Sequence, residues 1–174
     1  MNNGFGYNFR ELLYHWYRTY KEHKINTIMI IIVDYSYKKG EILYGTTLIE
    51  NISKIKDFLE KNRLTVAHIK DLGKKQKINI KNKWKKFLED TNNLLLLKEL
   101  TNYKFFKYEN DLIDYLKSFD SIYNTIILDD HIKINFNYAK VIYESSIYIT
   151  RKDLIILVKL IDTLIYLKQE GILR

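Results

Sequence analysis

The sequence contains no cysteine, no proline and only six glycines. The lack of cysteine excludes disulfide bonds and thiolate zinc sites, and it favours a reducing, cytoplasmic location. Without proline, the turns must rely on Asn, Asp and the few glycines. Long hydrophobic runs are also missing, since the longest one, Ile28 to Val33, is far too short to span a bilayer. Because the N-terminus also lacks a signal-peptide pattern, these absences predict a soluble cytoplasmic protein without a membrane partner.

The residues that are present predict one globular domain. Of the 174 residues, 47% are apolar and 29% are charged, which is typical of a chain that buries a core. We expect a single domain over 1–174, with an N-terminal helix within 1–25 and a core over 27–169. The formal charge of +8 favours a polyanionic partner, nucleic acid (RNA or DNA) before a membrane surface. Codon usage in an AT-rich genome is the alternative explanation for the many lysines.

The spacing of apolar residues predicts an alternation of helices and strands. Helices are expected over 8–24, 51–61, 79–100 and 151–169, with a short one in "NDLIDYLKSF" (110–119) capped by Asn110. Strands are expected over 27–34, 42–49 and 64–69, in "YNTIILDD" (123–130), and as extended or edge segments in "NYKFFKYE" (102–109) and "YAKVIYES" (138–145).

The first predicted strand is almost continuously β-branched, which is typical of a strand covered on both faces of a sheet. The connection to the second strand, "SYKKGEIL", is too short for a crossover helix, so an antiparallel hairpin is expected. The predicted fold is therefore α/β, with a mixed sheet that opens with this hairpin and is flanked by helices.

Acidic residues collect where these strands end. Asp34 ends the first strand, Asp71 follows the strand 64–69, Asp129 and Asp130 end "TIIL", and Asp162 interrupts the most apolar helix. The carboxyl ends of strands are where α/β sheets bind ligands, and neighbouring carboxylates cannot all stay ionised without a cation. Two divalent ions roughly 4 Å apart would neutralise them and activate water against a phosphodiester.

Each acid also fits an ordinary structural role. Asp34 suits a turn cap before Ser36. Asp71 stands among lysines, as a solvated loop charge would, and Asp129 and Asp130 suit the start of a turn. Asp162 suits an ion pair with Lys159, one helical turn earlier.

Four segments resemble those of a known family. "IIIVDYS" is similar to an opening strand with Asp-x-Ser, and "HIKD" to a short motif after the first helix that usually contains a Glu. "TIILDD" is similar to a later strand ending in Asp, and "SSIYITRKDLIILVKLIDTLIYL" to a C-terminal segment whose helix carries an Asp. With the order of elements, they resemble the ribonuclease H-like superfamily and, within it, the DUF3800 group of uncharacterised proteins.

This resemblance implies a metal-dependent nuclease that cleaves RNA or DNA with two Mg²⁺ or Mn²⁺ ions. The implied metal ligands are Asp34, Asp71, Asp129, Asp130 and Asp162. Of these, Asp34, Asp129 and Asp162 are also the implied catalytic residues, together with His131, which follows the paired acids and is placed to carry a proton to the leaving group.

Two departures from the family pattern favour an alternative function. Tyr35 stands where the family usually has an acid beside the first Asp, and Asp71 is a shifted substitute for the Glu of the second motif. A non-catalytic nucleic-acid-binding protein with a degenerate metal site is therefore the second hypothesis. A PIN-like nuclease is the third, and the early hairpin argues against it.

A lysine-rich stretch follows Asp71 directly. In "KKQKINIKNKWKK" (74–86), seven lysines surround one Trp. Such lysines grip a phosphate backbone without reading sequence, and a Trp among them suits stacking on a base. The spacing of Trp84 to Phe87 and Leu88 favours the alternative that Trp84 belongs to the core. The predicted nucleic-acid contacts are Lys70, Lys74, Lys75, Lys77, Lys81 and Trp84.

Overall fold

The structure is a computed structural model that describes residues 28–36, 40–118, 124–129 and 150–173. The N-terminal helix predicted within 1–25 and the edge strand predicted over 138–145 lie outside these residues, as do Asp130 and His131.

The described residues form a mixed α/β fold around one four-stranded sheet. Its strands are β1 (Ile28–Ser36), β2 (Glu41–Ile49), β3 (Lys104–Phe106) and β4 (Asn124–Asp129), in the spatial order β3-β2-β1-β4. β1 and β2 are antiparallel over their whole length, whereas β4 runs parallel to β1. The prediction of a mixed sheet that opens with an antiparallel hairpin is therefore confirmed.

β1 is buried on both faces, as its β-branched sequence predicts. Ile30 and Ile32 belong to the larger core cluster, which the final helix covers. Met29, Ile31 and Val33 alternate with them and belong to a second cluster on the other face. Asp34 continues the row of Ile30 and Ile32, because side chains alternate along a strand. The prediction that Asp34 ends this strand is wrong, because β1 continues for two more residues, to Ser36, which pairs with Glu41 of β2. The strand thus places Asp34 near its end, on the face covered by the final helix.

Five helices surround the described sheet: α1 (Ile52–Lys61), α2 (Lys74–Leu88), α3 (Thr91–Thr101), α4 (Glu109–Lys117) and α5 (Arg151–Gln169). The single helix predicted over 79–100 is wrong, because Asp90 caps α3 by accepting a hydrogen bond from the Asn92 backbone N–H at 2.9 Å. Asn110 is not a cap either, since Tyr108 occupies the N-cap position of α4.

The strand predicted over 64–69 is also wrong. The segment is extended and ends in a 3₁₀ turn, Ile69–Asp71, but it pairs with no strand among the described residues. Its backbone groups bond side chains instead: the Thr65 carbonyl accepts from Trp84 Nε1 at 2.9 Å, and the Ala67 N–H donates to Thr163 Oγ1 at 3.1 Å. Backbone polar groups need partners, and side chains supply them here in place of a neighbouring strand.

Helix α5 holds the acidic end of the sheet together. It packs on β1, on β2 and on the 3₁₀ turn. Gly45 of β2 permits this close packing, because a Cβ atom there would lie 2.7 Å from two side-chain atoms of Ile165. Within the described residues, no helix is both long and apolar enough to cross a membrane.

Candidate functional site

Asp34 lies at the carboxyl end of β1 with its side chain 15% exposed. Its Oδ2 accepts a hydrogen bond from Gln169 Nε2 at 2.9 Å, from the last residue of α5. Its Oδ1 lies 3.8 Å from the Nζ of Lys70, whose side chain is 52% exposed. This ion pair is long and reaches solvent, so its energetic contribution is small. The carboxylate is thus oriented by an amide and remains accessible on the side of Lys70.

Asp162 approaches the same place from the middle of α5. Its Oδ2 accepts a hydrogen bond from the backbone N–H of Ile69 at 2.7 Å. Burial raises the pKa of Asp162 to about 6 against the lowering effect of this hydrogen bond. The negative charges of Asp34 and Asp71 raise the pKa further, and Lys70 lowers it. Asp162 therefore lies within electrostatic reach of both other acids.

The pairing of Asp162 with Lys159, which its position on the helix made an alternative, does not occur. No hydrogen bond or ion pair joins these two side chains within the described part of the chain. The neighbouring Thr163 is fully buried, and its Oγ1 donates to the Lys159 carbonyl at 2.8 Å. Asp162 and Thr163 therefore both serve to hold the segment 67–69 against α5.

Lys70 and Asp71 are brought to the site by the 3₁₀ turn. This turn begins at Ile69, whose N–H is anchored to Asp162, and both Lys70 and Asp71 are exposed. The half-buried His68 occupies the N-cap position of the turn. The turn thus carries one cation and one carboxylate to the rim of the site.

Asp129 is placed only by its backbone. In the parallel pairing of β4 with β1, Asp129 lies opposite Val33, one residue before Asp34. The last residue of β4 therefore stands at the same edge of the sheet as Asp34. The side chain of Asp129, and Asp130 and His131 altogether, lie outside the described residues, so their predicted roles stay predictions.

The acidic side chains are of the type that binds divalent ions. Carboxylate oxygens are the ligands that Mg²⁺ and Mn²⁺ prefer, and the charge of Asp34 acts on Asp162. Among the described residues, however, no three acidic or histidine side chains are arranged to hold an ion. A complete site would need a further ligand from Asp129 or Asp130, or a movement of Asp71 on its exposed turn.

The predicted nucleic-acid contacts fall into two groups. Helix α2 begins at Lys74, three residues after Asp71, and Lys74 and Lys75 are exposed beside the acidic site, while Lys77 and Lys81 are partly buried. Trp84 does not fit the prediction that it stacks on a base. It is fully buried, its ring contacts Phe87 edge-on, and its Nε1 is bonded to the Thr65 carbonyl.

Sequence reasoning missed two residues that shape the site, Gln169 and Thr163. Gln169 orients Asp34, and Thr163 fixes the segment before the 3₁₀ turn. Thr163 carried a usable signal, because a hydroxyl inside an apolar helix beside Asp162 needs a partner. Gln169 carried none, since a polar residue in the last turn of a helix is ordinary.

Comparison of the chain with protein-family models, with curated proteins and with solved structures finds no match. The family resemblance therefore rests on the four quoted segments.

Proposed function

We propose that this protein is a metal-dependent nuclease of the ribonuclease H-like superfamily, which hydrolyses phosphodiester bonds of RNA or DNA. The observation that carries the proposal is that three acids far apart in sequence lie within electrostatic range of one place, although the described side chains do not by themselves form an ion site. Asp34 comes from β1, Asp71 from the 3₁₀ turn and Asp162 from α5, and the charges of the first two act on the third. The antiparallel opening hairpin and the parallel strand beside it support the proposed fold.

The energetics of Asp162 favour a functional role over a structural one. On this apolar helix, burial is the main cause that destabilises the ionised form of Asp162, and the charges of Asp34 and Asp71 add to it, against the opposing effects of the Ile69 hydrogen bond and Lys70. A neutral Asn or Gln would accept the same hydrogen bond from Ile69 without that cost. Acids with raised pKa values cluster at functional sites for this reason.

The residues that would hold Mg²⁺ or Mn²⁺ are Asp34 and Asp162, with Asp129 or Asp130 completing the set and Asp71 at the rim. Bound divalent ions would activate water and neutralise charge on the phosphate. The chain itself orients Asp34 through Gln169 and Asp162 through the Ile69 N–H. Lys70, Lys74 and Lys75 lie on the exposed side, where they would bind the substrate backbone.

The second candidate is a nucleic-acid-binding protein without catalysis, and one contact favours it. The Lys70 ammonium lies within 3.8 Å of Asp34, so the site already contains a cation of its own. In that case Lys70 would take the place of a metal, and the acids would only hold the turn and α5 together.

Cleavage of labelled RNA and DNA in Mn²⁺, with EDTA as the blank, separates the two candidates. The nuclease proposal predicts metal-dependent cleavage that Asp34→Asn and Asp162→Asn each abolish. Asp153→Asn is the matched control, because Asp153 is an acid of the same helix but pairs with Lys56 at 3.0 Å, away from the site. Binding without cleavage in the wild type, unchanged by Mn²⁺, would favour the non-catalytic candidate.

A further inference from the structure

A second surface with the character of a nucleic-acid site lies on the far side of β2 from the acids. It is a surface cavity of about 330 Å³ beside β3. We call it the β3 surface, and its lining residues are Lys98, Asn102, Tyr103, Lys104, Phe105 and Lys168. The lining contains three lysines and no acid, so it presents positive charge to any ligand.

All three of these lysines lie over aromatic rings, and the Nζ of Lys104 lies 5.2 Å from the centre of the Tyr115 ring. The Nζ of Lys98 lies 6.0 Å from the centre of the Tyr103 ring, and the Nζ of Lys168 lies 5.8 Å from that of Phe105. Neither ammonium forms an ion pair with a carboxylate in the part of the chain that the structure describes. A ring positions a cation without neutralising it, so both charges remain available to phosphate groups.

The two rings offer a surface for a base. Their centres are 5.1 Å apart and their planes are tilted by 43°. Tyr103 is only 7% exposed, whereas Phe105 is half-buried. Phe105 is therefore the more exposed of the two rings, and a base would reach it beside the side chain of Lys168, which lies over it. An aromatic ring next to lysines is the arrangement that binds single strands without sequence preference.

The last turn of α5 connects this surface with the acidic site. Lys168 lies over Phe105, and the next residue, Gln169, donates to Asp34 Oδ2. In the sheet, Phe105 pairs with Gly45, and Gly45 pairs with Ile32, two residues before Asp34. Two strand spacings of about 4.8 Å each separate these positions. A strand bound along the β3 surface would reach the acids within a few nucleotides.

We propose that the β3 surface binds a single-stranded nucleic acid and guides it to the acidic site. The proposal rests on the proposed function, and it adds the strand form of the substrate and the path of the strand. Lys98 and Lys168 contact phosphates, and Phe105 stacks on a base. A duplex keeps its bases paired and stacked, so it cannot present a base face to Phe105.

Fluorescence anisotropy with short labelled oligothymidylate and oligouridylate tests the proposal. The titrations are made in EDTA, so binding is measured without cleavage. The double variant Lys98→Gln/Lys168→Gln should weaken binding at least ten-fold. It should also lower the slope of log affinity against log salt by about 1.4, because each phosphate contact on a single strand contributes about 0.7. Phe105→Leu keeps an apolar side chain but should weaken binding roughly ten-fold by removing the stack.

Lys61→Gln/Lys117→Gln is the matched control, because it removes the same charge from exposed lysines in the last turns of α1 and α4. It should change affinity less than three-fold, and all variants should melt like the wild type. Equal losses of affinity in the control and in the test variants would overturn the proposal. A duplex that binds as tightly as the single strand, and that loses as much affinity in the test variants, would also overturn it. If the wild type does not cleave but the test variants still lose binding as expected, the nuclease proposal fails and the binding proposal stands.

Discussion

The Asp162 carboxylate is packed against protein atoms. Among the described residues, its direct hydrogen-bond partner is the backbone N–H of Ile69. Burial raises its pKa to about 6, whereas an unfolded chain keeps an aspartate pKa near the ordinary value of about 3.9. The folded state therefore binds the extra proton between these values. The stability that this protonation contributes is present at low pH and is lost as the pH rises through about 6.

We expect Asp162→Asn to stabilise the metal-free protein at about pH 8, by on the order of 2 kcal/mol, and to have little effect at about pH 4. Asn still accepts the hydrogen bond from Ile69, but it carries no negative charge that burial and the charges of Asp34 and Asp71 would destabilise. Urea unfolding in EDTA at both pH values measures the difference. A loss of stability at the higher pH would mean that Asp162 is paired with a cation and would contradict this explanation.

Thr163 provides a second test at the scale of one residue. Its Oγ1 accepts from the Ala67 N–H at 3.1 Å inside a fully buried position. Thr163→Val keeps the shape but leaves that N–H without its partner, so the free energy of unfolding should fall by about 1–2 kcal/mol. Thr163→Ser retains the hydroxyl and should cost less. Equal costs for Val and Ser in urea unfolding would show that the hydrogen bond is unimportant.

At the scale of elements, the contact between α5 and the sheet depends on Gly45. An added Cβ atom would lie 2.7 Å from both Cγ1 and Cδ1 of the buried Ile165. Gly45→Ala should therefore lower the free energy of unfolding by about 1–3 kcal/mol, the usual cost of overpacking. In thermal or urea unfolding, Gly45→Ala/Ile165→Val should lose less than the sum of the single losses, because Val lacks the Cδ1 atom. If the two single losses simply add in the double variant, the contact between residue 45 and Ile165 is not the source of the strain.

The elements differ in how well the sequence predicts them. Helix α5 occupies its predicted range because local signals mark both of its ends. Thr150 Oγ1 caps its first turn, and Gly171 follows its last turn with a positive φ of 78°. The segment 64–69 has the apolar character of a strand, yet the side chains that bond its backbone belong to Trp84, Asp162 and Thr163, which lie far along the chain. Local patterns carry no information about such partners.

The same distinction applies to the candidate site. The sequence indicates Asp34 and Asp162 as candidate site residues, because Asp34 lies near the end of an apolar strand and Asp162 interrupts an apolar helix. The lysine-rich stretch was harder to interpret, because Trp84 is buried in the core although seven lysines surround it in sequence. Periodicity assigned Trp84 to the core more reliably than composition assigned it to a binding surface.

The molecule as a whole combines these acids with two groups of lysines. The exposed lysines at the start of α2 follow Asp71 closely in sequence, and the β3 surface lies beyond β2 from Asp34. With a net charge of +8, the molecule attracts polyanions as a whole. Within the described residues, the negative charges of Asp34 and Asp71 act on Asp162. We therefore propose that the lysines bind the substrate backbone and that the acids bind metal.

The melting temperature in Mn²⁺ shows whether these acids bind a metal ion. A ligand that binds only the folded state stabilises it by mass action, by roughly 2.7 kcal/mol at a concentration one hundred times its Kd. We predict that millimolar Mn²⁺ raises the Tm of the wild type and of Asp153→Asn by several degrees, and that Asp34→Asn abolishes the increment. A wild-type Tm that Mn²⁺ leaves unchanged, or an equal increment in Asp34→Asn, would contradict a metal site at the end of β1.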